Sequence, residues 1–177
     1  NGNTWIDIAR YNGKSLYGMA SDDTNIYLAG KMNGYPIMTD VNGNILASRP
    51  DLEGYNYWGI AKSGNIWNMG TDNGDRGGPS HIDVFDGSIL KTVYTTDRPI
   101  MQVIQIHDGK RYAVASWNWD AVGKTSLLLI SSDGYNWSIL VEIPCPSILN
   151  MHFADGGVYL MGGRYRDYGR VYFRLIK

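Results

Sequence analysis

The feature that most constrains this chain is a repeat that closes on itself. A short turn, a β-former and an aromatic recur as Asn25-Ile26-Tyr27, Asn65-Ile66-Trp67, Lys110-Arg111-Tyr112 and Gly157-Val158-Tyr159, with the aromatics 40, 45 and 47 residues apart. A second pattern is a tight Gly turn followed by Trp or an aliphatic residue. It reads Asn42-Gly43-Asn44-Ile45, Asp86-Gly87-Ser88-Ile89 and Asp133-Gly134-Tyr135-Asn136-Trp137, with the glycines 44 and 47 residues apart. Its fourth copy stands at the N-terminus, as Asn1-Gly2-Asn3-Thr4-Trp5. Read as a circle of 177 residues, Gly134 to Gly2 is 45, Gly2 to Gly43 is 41, and Tyr159 to Tyr27 is 45. Both series close with a period near 44, which is the period of a four-stranded propeller blade.

Composition agrees with a chain of short strands and tight turns. There are 22 Gly, 13 Tyr and 6 Trp, and only 19% of residues are charged, a mixture that disfavours helices. No ten-residue stretch carries a helical apolar period. Strand-like runs fall at 16–20, 25–30, 36–40 and 44–48, then at 57–61, 65–69, 81–85 and 88–94. The third set is 101–106, 111–116, 126–131 and 137–143. The fourth is 149–154, 157–162 and 169–176, with its last strand supplied by 3–10. A lone four-stranded sheet leaves its edges and an apolar face exposed, whereas radial stacking buries the faces. The expected fold is therefore all-β: a single-domain, four-bladed β-propeller of four-stranded antiparallel blades, closed by the N-terminal strand pairing with the C-terminal blade. Blades are expected at about 16–54, 55–99, 100–147, and 148–177 plus 1–15. Half of an eight-bladed dimeric ring, or a segment cut from a larger propeller, would give the same repeats. The phase of the termini argues against the segment, because the same chain supplies the missing strand.

Charge and cysteine usage narrow the partners. Lys plus Arg is 16 and Asp plus Glu is 17, a net charge of −1, so the chain lacks the electrostatic footprint of a general nucleic-acid binder. No apolar run reaches the roughly 18 residues of a membrane span, so membrane insertion is not expected, and no secretory signal is visible. Cys145 is the only cysteine and forms no intrachain disulfide, which leaves the redox compartment open. The chain begins at Asn1 rather than Met, so a processed or excised piece of something longer is expected.

The third repeat contains Ser131-Ser132-Asp133-Gly134-Tyr135-Asn136-Trp137, which resembles the Asp-box, the bacterial neuraminidase repeat of sialidases and many non-enzymatic propellers. The N-terminal copy keeps Gly2 and Trp5, and the copies at Asp40 and Asp86 keep an acid near the turn but lack the Trp. The resemblance implies that Asp133 accepts backbone N–H bonds across its turn and that Trp137 packs between blades. It does not carry sialidase chemistry over: no set of three arginines, a Tyr–Glu pair and an acid is matched in position. The Gly-, Asn- and Tyr-rich repeats are also similar in style to phage tail-fibre and receptor-binding propellers and to propeller lectins.

In such a ring the loops joining strands two to three, and one blade to the next, share a face. Here they are 10–15, 31–35, 49–57, 70–80, 95–99, 116–125, 144–148 and 163–169. Loops on a rigid scaffold are where binding concentrates. Ser116-Trp117-Asn118-Trp119-Asp120 places two indoles on one side if extended, suited to stacking on a sugar ring, with Asn118 and Asp120 for its hydroxyls; the competing reading has the tryptophans plugging a gap between blades. Gly163-Arg164-Tyr165-Arg166-Asp167-Tyr168 alternates Arg and Tyr, the residues of binding hot spots, and its arginines suit a carboxylate or phosphate; the competing reading is a solvated hairpin tip. In Thr71-Asp72-Asn73-Gly74-Asp75-Arg76, Asp75 and Arg76 are contact candidates, and the full spacing of a calcium loop is absent. Trp58 reads as core. The histidines His81, His107 and His152 lie in different repeats without ligand spacing.

The expectation that follows is a non-catalytic recognition module, lacking cofactor and metal, that presents Trp117, Asn118, Trp119, Asp120, Arg164, Tyr165, Arg166, Tyr168, Asp75 and Arg76 to a glycan or cell-surface receptor. An extracellular or virion-surface setting, as in a tail fibre or adhesin, and homo-oligomerisation for multivalency, go with it. Two other classes compete. A glycoside hydrolase needs two loop-face carboxylates at a defined separation, drawn from Asp51, Glu53, Asp72, Asp75, Asp97, Asp120 and Asp167. A protein-interaction scaffold needs a flat apolar patch.

Overall fold

The structure is a computed structural model that describes residues 14–73, 78–117, 121, 123–163 and 172–176. Among these residues every regular element is a β-strand, and no peptide bond is cis. The first meander is β1 (Lys14–Ser21), β2 (Ile26–Met32), β3 (Tyr35–Asp40) and β4 (Ile45–Ser48). The second is β5 (Asn56–Ser63), β6 (Ile66–Asp72), β7 (Ser80–Phe85) and β8 (Leu90–Thr96). The third is β9 (Ile100–His107), β10 (Lys110–Ser116), β11 (Ser126–Ser131) and β12 (Ser138–Ile143). The fourth is β13 (Ser147–Ala154), β14 (Gly157–Gly163) and β15 (Tyr172–Ile176). All pairings are antiparallel between neighbours, and one residue pair, Asp72 with Ile100, joins the second meander to the third as a continuous curled sheet. The expected strand 3–10 lies outside the described residues.

The meanders pack face to face in chain order, and the core is three interfaces rather than one centre. Tyr27, Ala29 and Met38 of the first meander meet Ile60 and Met69 of the second. Ala61 and Ile82 of the second meet Ile104, Ala113 and Leu129 of the third. Val114, Leu128 and Ile143 of the third meet Met151, Val158 and Leu160 of the fourth. Alternation along each strand sends one set of side chains to the preceding meander and the other to the next, so these strands are apolar on both faces.

The turns explain why the chain reverses where it does. At the ends of β3, β7 and β11 an aspartate closes the turn. Asp40 Oδ1 accepts from the N–H groups of Asn42 and Asn44, both at 2.9 Å. Asp86 Oδ1 accepts from Ser88 at 3.0 Å and Ile89 at 2.8 Å. Asp133 Oδ1 accepts from Tyr135 and Asn136, both at 2.8 Å. A short acid side chain thus satisfies donors that the turn would otherwise leave open. Trp137 packs on the interface of the second and third meanders and donates its indole N–H to Gly134 O at 3.1 Å.

Two expectations need correction. The segment 31–35 is not a long loop: β2 and β3 are joined by Asn33-Gly34 alone, with φ of 52° and 91°, the left-handed pair that a tight hairpin turn demands. The aromatic series is also out of register in the second meander. Tyr27, Tyr112 and Tyr159 lie opposite Ala20, Gln105 and His152, but the residue opposite the equivalent Ala61 is Asn68, not Trp67. One residue of slip turns a side chain to the other face of the sheet. Trp67 accordingly packs back on the first meander, edge-on to Tyr27 at 5.3 Å.

Candidate ligand site at the axis

The first strand of each meander lies innermost, with β1 beside β5, β5 beside β9 and β9 beside β13. Each carries a β-bulge near its start. The register breaks between Leu16 and Gly18, between Tyr57 and Gly59, at the Met101–Val103 step, and between Ile148 and Asn150. The extra residues are Tyr17, Trp58, Gln102 and Leu149. A bulge re-aims the residue it inserts and sharpens the local twist. These strands start at the end of the molecule that carries the inter-meander connections, so the bulges gather toward that end of the axis.

Tyr17 and Trp58, the bulge residues of neighbouring inner strands, stack with centroids 4.5 Å apart and planes 9° from parallel. Tyr17 is 43% exposed. Both line a cavity of about 240 Å³ to which all four inner strands contribute, with Met19, Gln105, Leu149 and Asn150. Asn150 Oδ1 accepts the Met151 N–H at 2.8 Å. The Gln105 side chain makes no hydrogen bond among the described residues. The arrangement can offer a flat aromatic surface beside two carboxamides.

Of the ten residues expected to contact a ligand, only Trp117 lies within the described residues; Asn118, Trp119, Asp120, Arg164, Tyr165, Arg166, Tyr168, Asp75 and Arg76 lie outside them. Trp117 is half-buried, its N–H bonded to Pro146 O at 2.7 Å and its ring under Lys124 Nζ at 4.7 Å. Asn73 occupies the same place after β6, its N–H bonded to Pro99 O at 3.0 Å. Each position pins the second strand of a meander to the connection that follows. Trp58, expected in the core, is instead half-buried at the cavity wall.

The loop end also carries two arginine clamps. Arg49, just after β4, reaches Asp83 Oδ2 at 2.8 Å and Thr92 Oγ1 at 3.0 Å on the second meander, and pairs with Asp51 at 2.7 Å. Tyr57 donates to the same Asp83 oxygen at 2.6 Å, and Thr92 donates to the other at 2.7 Å. Asp83 and Tyr57 are fully buried. Burial, and then Asp83, push the Tyr57 hydroxyl well above its usual range. Arg98, after β8, repeats the gesture on the third meander: it bonds Glu142 at 3.2 Å and its neighbour Asp97 at 2.6 Å. Arg49 holds the Asp51 carboxyl below the usual carboxylate range. Burial pushes Asp97 up, but the bond and charge of Arg98 outweigh it and its carboxyl is lowered. Neither is prepared to act as a proton donor near neutral pH.

His81 contacts the Tyr55 ring at 5.6 Å and Thr95 Oγ1 at 3.1 Å, and burial lowers its pKa. His107 stacks on Phe153 at 4.3 Å. His152 lines a small recess on the outward face of β13 and β14. Among the described residues no three His, Cys, Asp or Glu side chains are grouped to hold a metal ion.

No family model and no curated protein sequence matches this chain. Solved structures do. The computationally designed protein Ika4 superposes with a TM-score of 0.60 at 13% identity, covering 98% of this chain and 100% of Ika4. A protein of unknown function from Bacteroides caccae superposes with a TM-score of 0.52 at 11% identity, over 94% of this chain and 62% of that one. The WD40 β-propeller domain of Doa1 is also matched, at a TM-score of 0.32 and 10% identity, covering 84% of this chain and 75% of that domain, too distant to carry an argument. At these identities the likeness concerns fold alone. The likeness to Ika4 spans nearly the whole of both chains, and the described residues form all-β, repeated antiparallel meanders with a curled central sheet.

Tyr17, Trp58, Gln105 and Asn150 were not singled out from sequence as ligand residues. A signal for the first two was present: Tyr17-Gly18 and Trp58-Gly59 are the same aromatic–glycine pair, 41 residues apart, in the first strand of successive repeats. Nothing local marks the two amides.

Proposed function

We propose that this chain is a non-catalytic recognition module, a four-bladed β-propeller closed by residues 3–10, that binds a glycan or glycan-bearing cell-surface receptor at the long-loop end of its axis. The observation that carries the binding reading is the Tyr17–Trp58 stack, partly exposed at a cavity shared by all four inner strands. Buried aromatics need no partner; a stacked pair with an open face beside carboxamides suits a ring that is apolar on its face and polar at its rim. The arginine-held Asp51 and Asp97 support a binding rather than a hydrolytic role, since a glycosidase acid needs a raised pKa. An extracellular or virion-surface setting belongs to the same proposal.

Closure of the ring would bring a neighbour to Met19. Its counterparts, which lie at the same place after each bulge, are Ile60, Ile104 and Met151. These are 5%, 5% and 1% exposed because each packs on the preceding meander, whereas Met19 is 69% exposed. Met161, on the far face of the fourth meander, is 37% exposed where its counterparts Ala29 and Val114 are buried. Two apolar faces at opposite ends of the series are thus more exposed than the faces between meanders, and closure would pair them.

A glycan array probed with the whole chain tests the function. Binding to a defined set of saccharides, weakened at least tenfold by Tyr17→Ala, is the expected result. No signal on any surface polysaccharide, or an unchanged signal with Tyr17→Ala and Trp117→Ala together, overturns it.

A further inference from the structure

The geometry points to an uncharged pyranose ring as the occupant of the axial cavity, an inference that rests on the recognition reading above and specifies its ligand class. Three observations carry it. The platform is rigid and flat: Trp58 backs Tyr17 at 4.5 Å with planes 9° apart, so the tyrosine ring presents its free face with little left to order on binding. The residues with polar side chains that line the same cavity, besides the two aromatics, are Gln105 and Asn150. A carboxamide carries both a donor and an acceptor, the complement of a hydroxyl group, and gives an anion no countercharge. The third is the fate of the described cationic side chains on and beside the inner strands. Lys62 of β5 is turned away to Asp22 at 2.9 Å and lies over the Trp67 ring at 5.0 Å, on the face toward the first meander. Arg49 and Arg98 are committed to Asp83, Asp51, Asp97 and Glu142. A carboxylate-bearing sugar in this cavity would give up its hydration and find no described cation to replace it. The recess of about 240 Å³ has room for a sugar ring.

The test is saturation-transfer NMR and calorimetric titration of the whole chain. The neutral probes are methyl β-galactopyranoside, methyl α-mannopyranoside and N-acetylglucosamine; the anionic probes are glucuronate and N-acetylneuraminate. At least one neutral pyranoside is expected to bind with an affinity that changes less than twofold between 50 mM and 500 mM salt. Tyr17→Ala is expected to weaken it about tenfold and Gln105→Leu severalfold. Tyr17 is exposed, and unchanged near-ultraviolet circular dichroism away from that residue will certify the fold. If an anionic sugar binds better, with strong salt dependence, the ligand class is wrong while the glycan reading stands. If the array is positive but Tyr17→Ala and Gln105→Leu leave monosaccharide binding unchanged, the axial placement is wrong. A blank array sinks the underlying reading itself.

Discussion

Asp83 shows how a single buried group can tie two parts of this chain together. Its two oxygens take hydrogen bonds from Tyr57, Thr92 and Arg49, and Asp83 and Tyr57 are fully buried. Removing the acid leaves the buried Tyr57 hydroxyl without its acceptor and Arg49 with Asp51 alone. Asp83→Ala is expected to cost about 3–5 kcal/mol, read from urea unfolding. The corresponding Arg98→Ala should cost about 1 kcal/mol or less, because Asp97 and Glu142 are exposed and screened. A value for Asp83→Ala near that of Arg98→Ala would show that the buried clamp contributes nothing special. The turn acids supply a pH prediction. The carboxyls of Asp86 and Asp133 lie below their usual range through backbone N–H bonds, Asp40 through the Asn44 amide first, and Asp22 through Lys62 first. Their unfolded value is about 3.9. A folded value below the unfolded one means that the unfolded chain binds more protons in acid. Their contribution is therefore complete above about pH 5 and drains away as pH falls through 4 and below. The urea midpoint is expected to drop steadily below pH 4, and Asp133→Asn, which keeps an acceptor oxygen, should flatten that slope. The Asp turns were legible because they are local. The Arg49–Asp83 pair spans 34 residues and was not.

At the scale of elements, strand positions were readable and strand faces less so. Every run marked in the first three repeats is a strand within three residues of its place, because Gly, Asn and Asp punctuate them. The error at Trp67 came from counting aromatics, when the cross-strand partner decides which face a residue takes. The bulges were invisible for a related reason: they are a mismatch between two strands, and no property of one strand records them. They bring backbones unusually close. A Cβ at Gly70 would lie 2.2 Å from the Met101 carbonyl oxygen of the next meander. Gly70→Ala is therefore expected to destabilise by roughly 1–3 kcal/mol through displaced backbone. Ala at Gly109 meets no atom, but the backbone there is left-handed at φ 71°, so its cost is local strain rather than displaced backbone. Thermal unfolding of Gly70→Ala checks this; a midpoint equal to that of the parent would place the two meanders farther apart.

At the scale of the molecule, Met19 is exposed where its counterparts on the other inner strands are buried. Burying a methionine side chain gains about 1.5–3 kcal/mol, and its three counterparts all realise that gain against a neighbour. If the ring closes, Met19→Glu should cost a comparable amount. Ile139→Glu, at a site 57% exposed on the outer strand β12, should stay within about 0.5 kcal/mol. Equal, negligible effects at both positions would mean that the first meander keeps a free face. Sedimentation of the parent at several concentrations separates closure within one chain from closure by a second copy.

The amino-acid sequence by itself determined the class of structure, the number of repeats, the strand boundaries and the acid turns. These follow from local chemistry: two-residue periodicity, the φ freedom of Gly and Asn, and an acid within reach of its own turn. Only the tertiary structure decided that Tyr17 and Trp58 stack, that Gln105 and Asn150 share their cavity, and that Arg49 meets Asp83. Such encounters depend on the register between strands and on the packing of one meander against the next, and neither is a property of any stretch of chain taken alone.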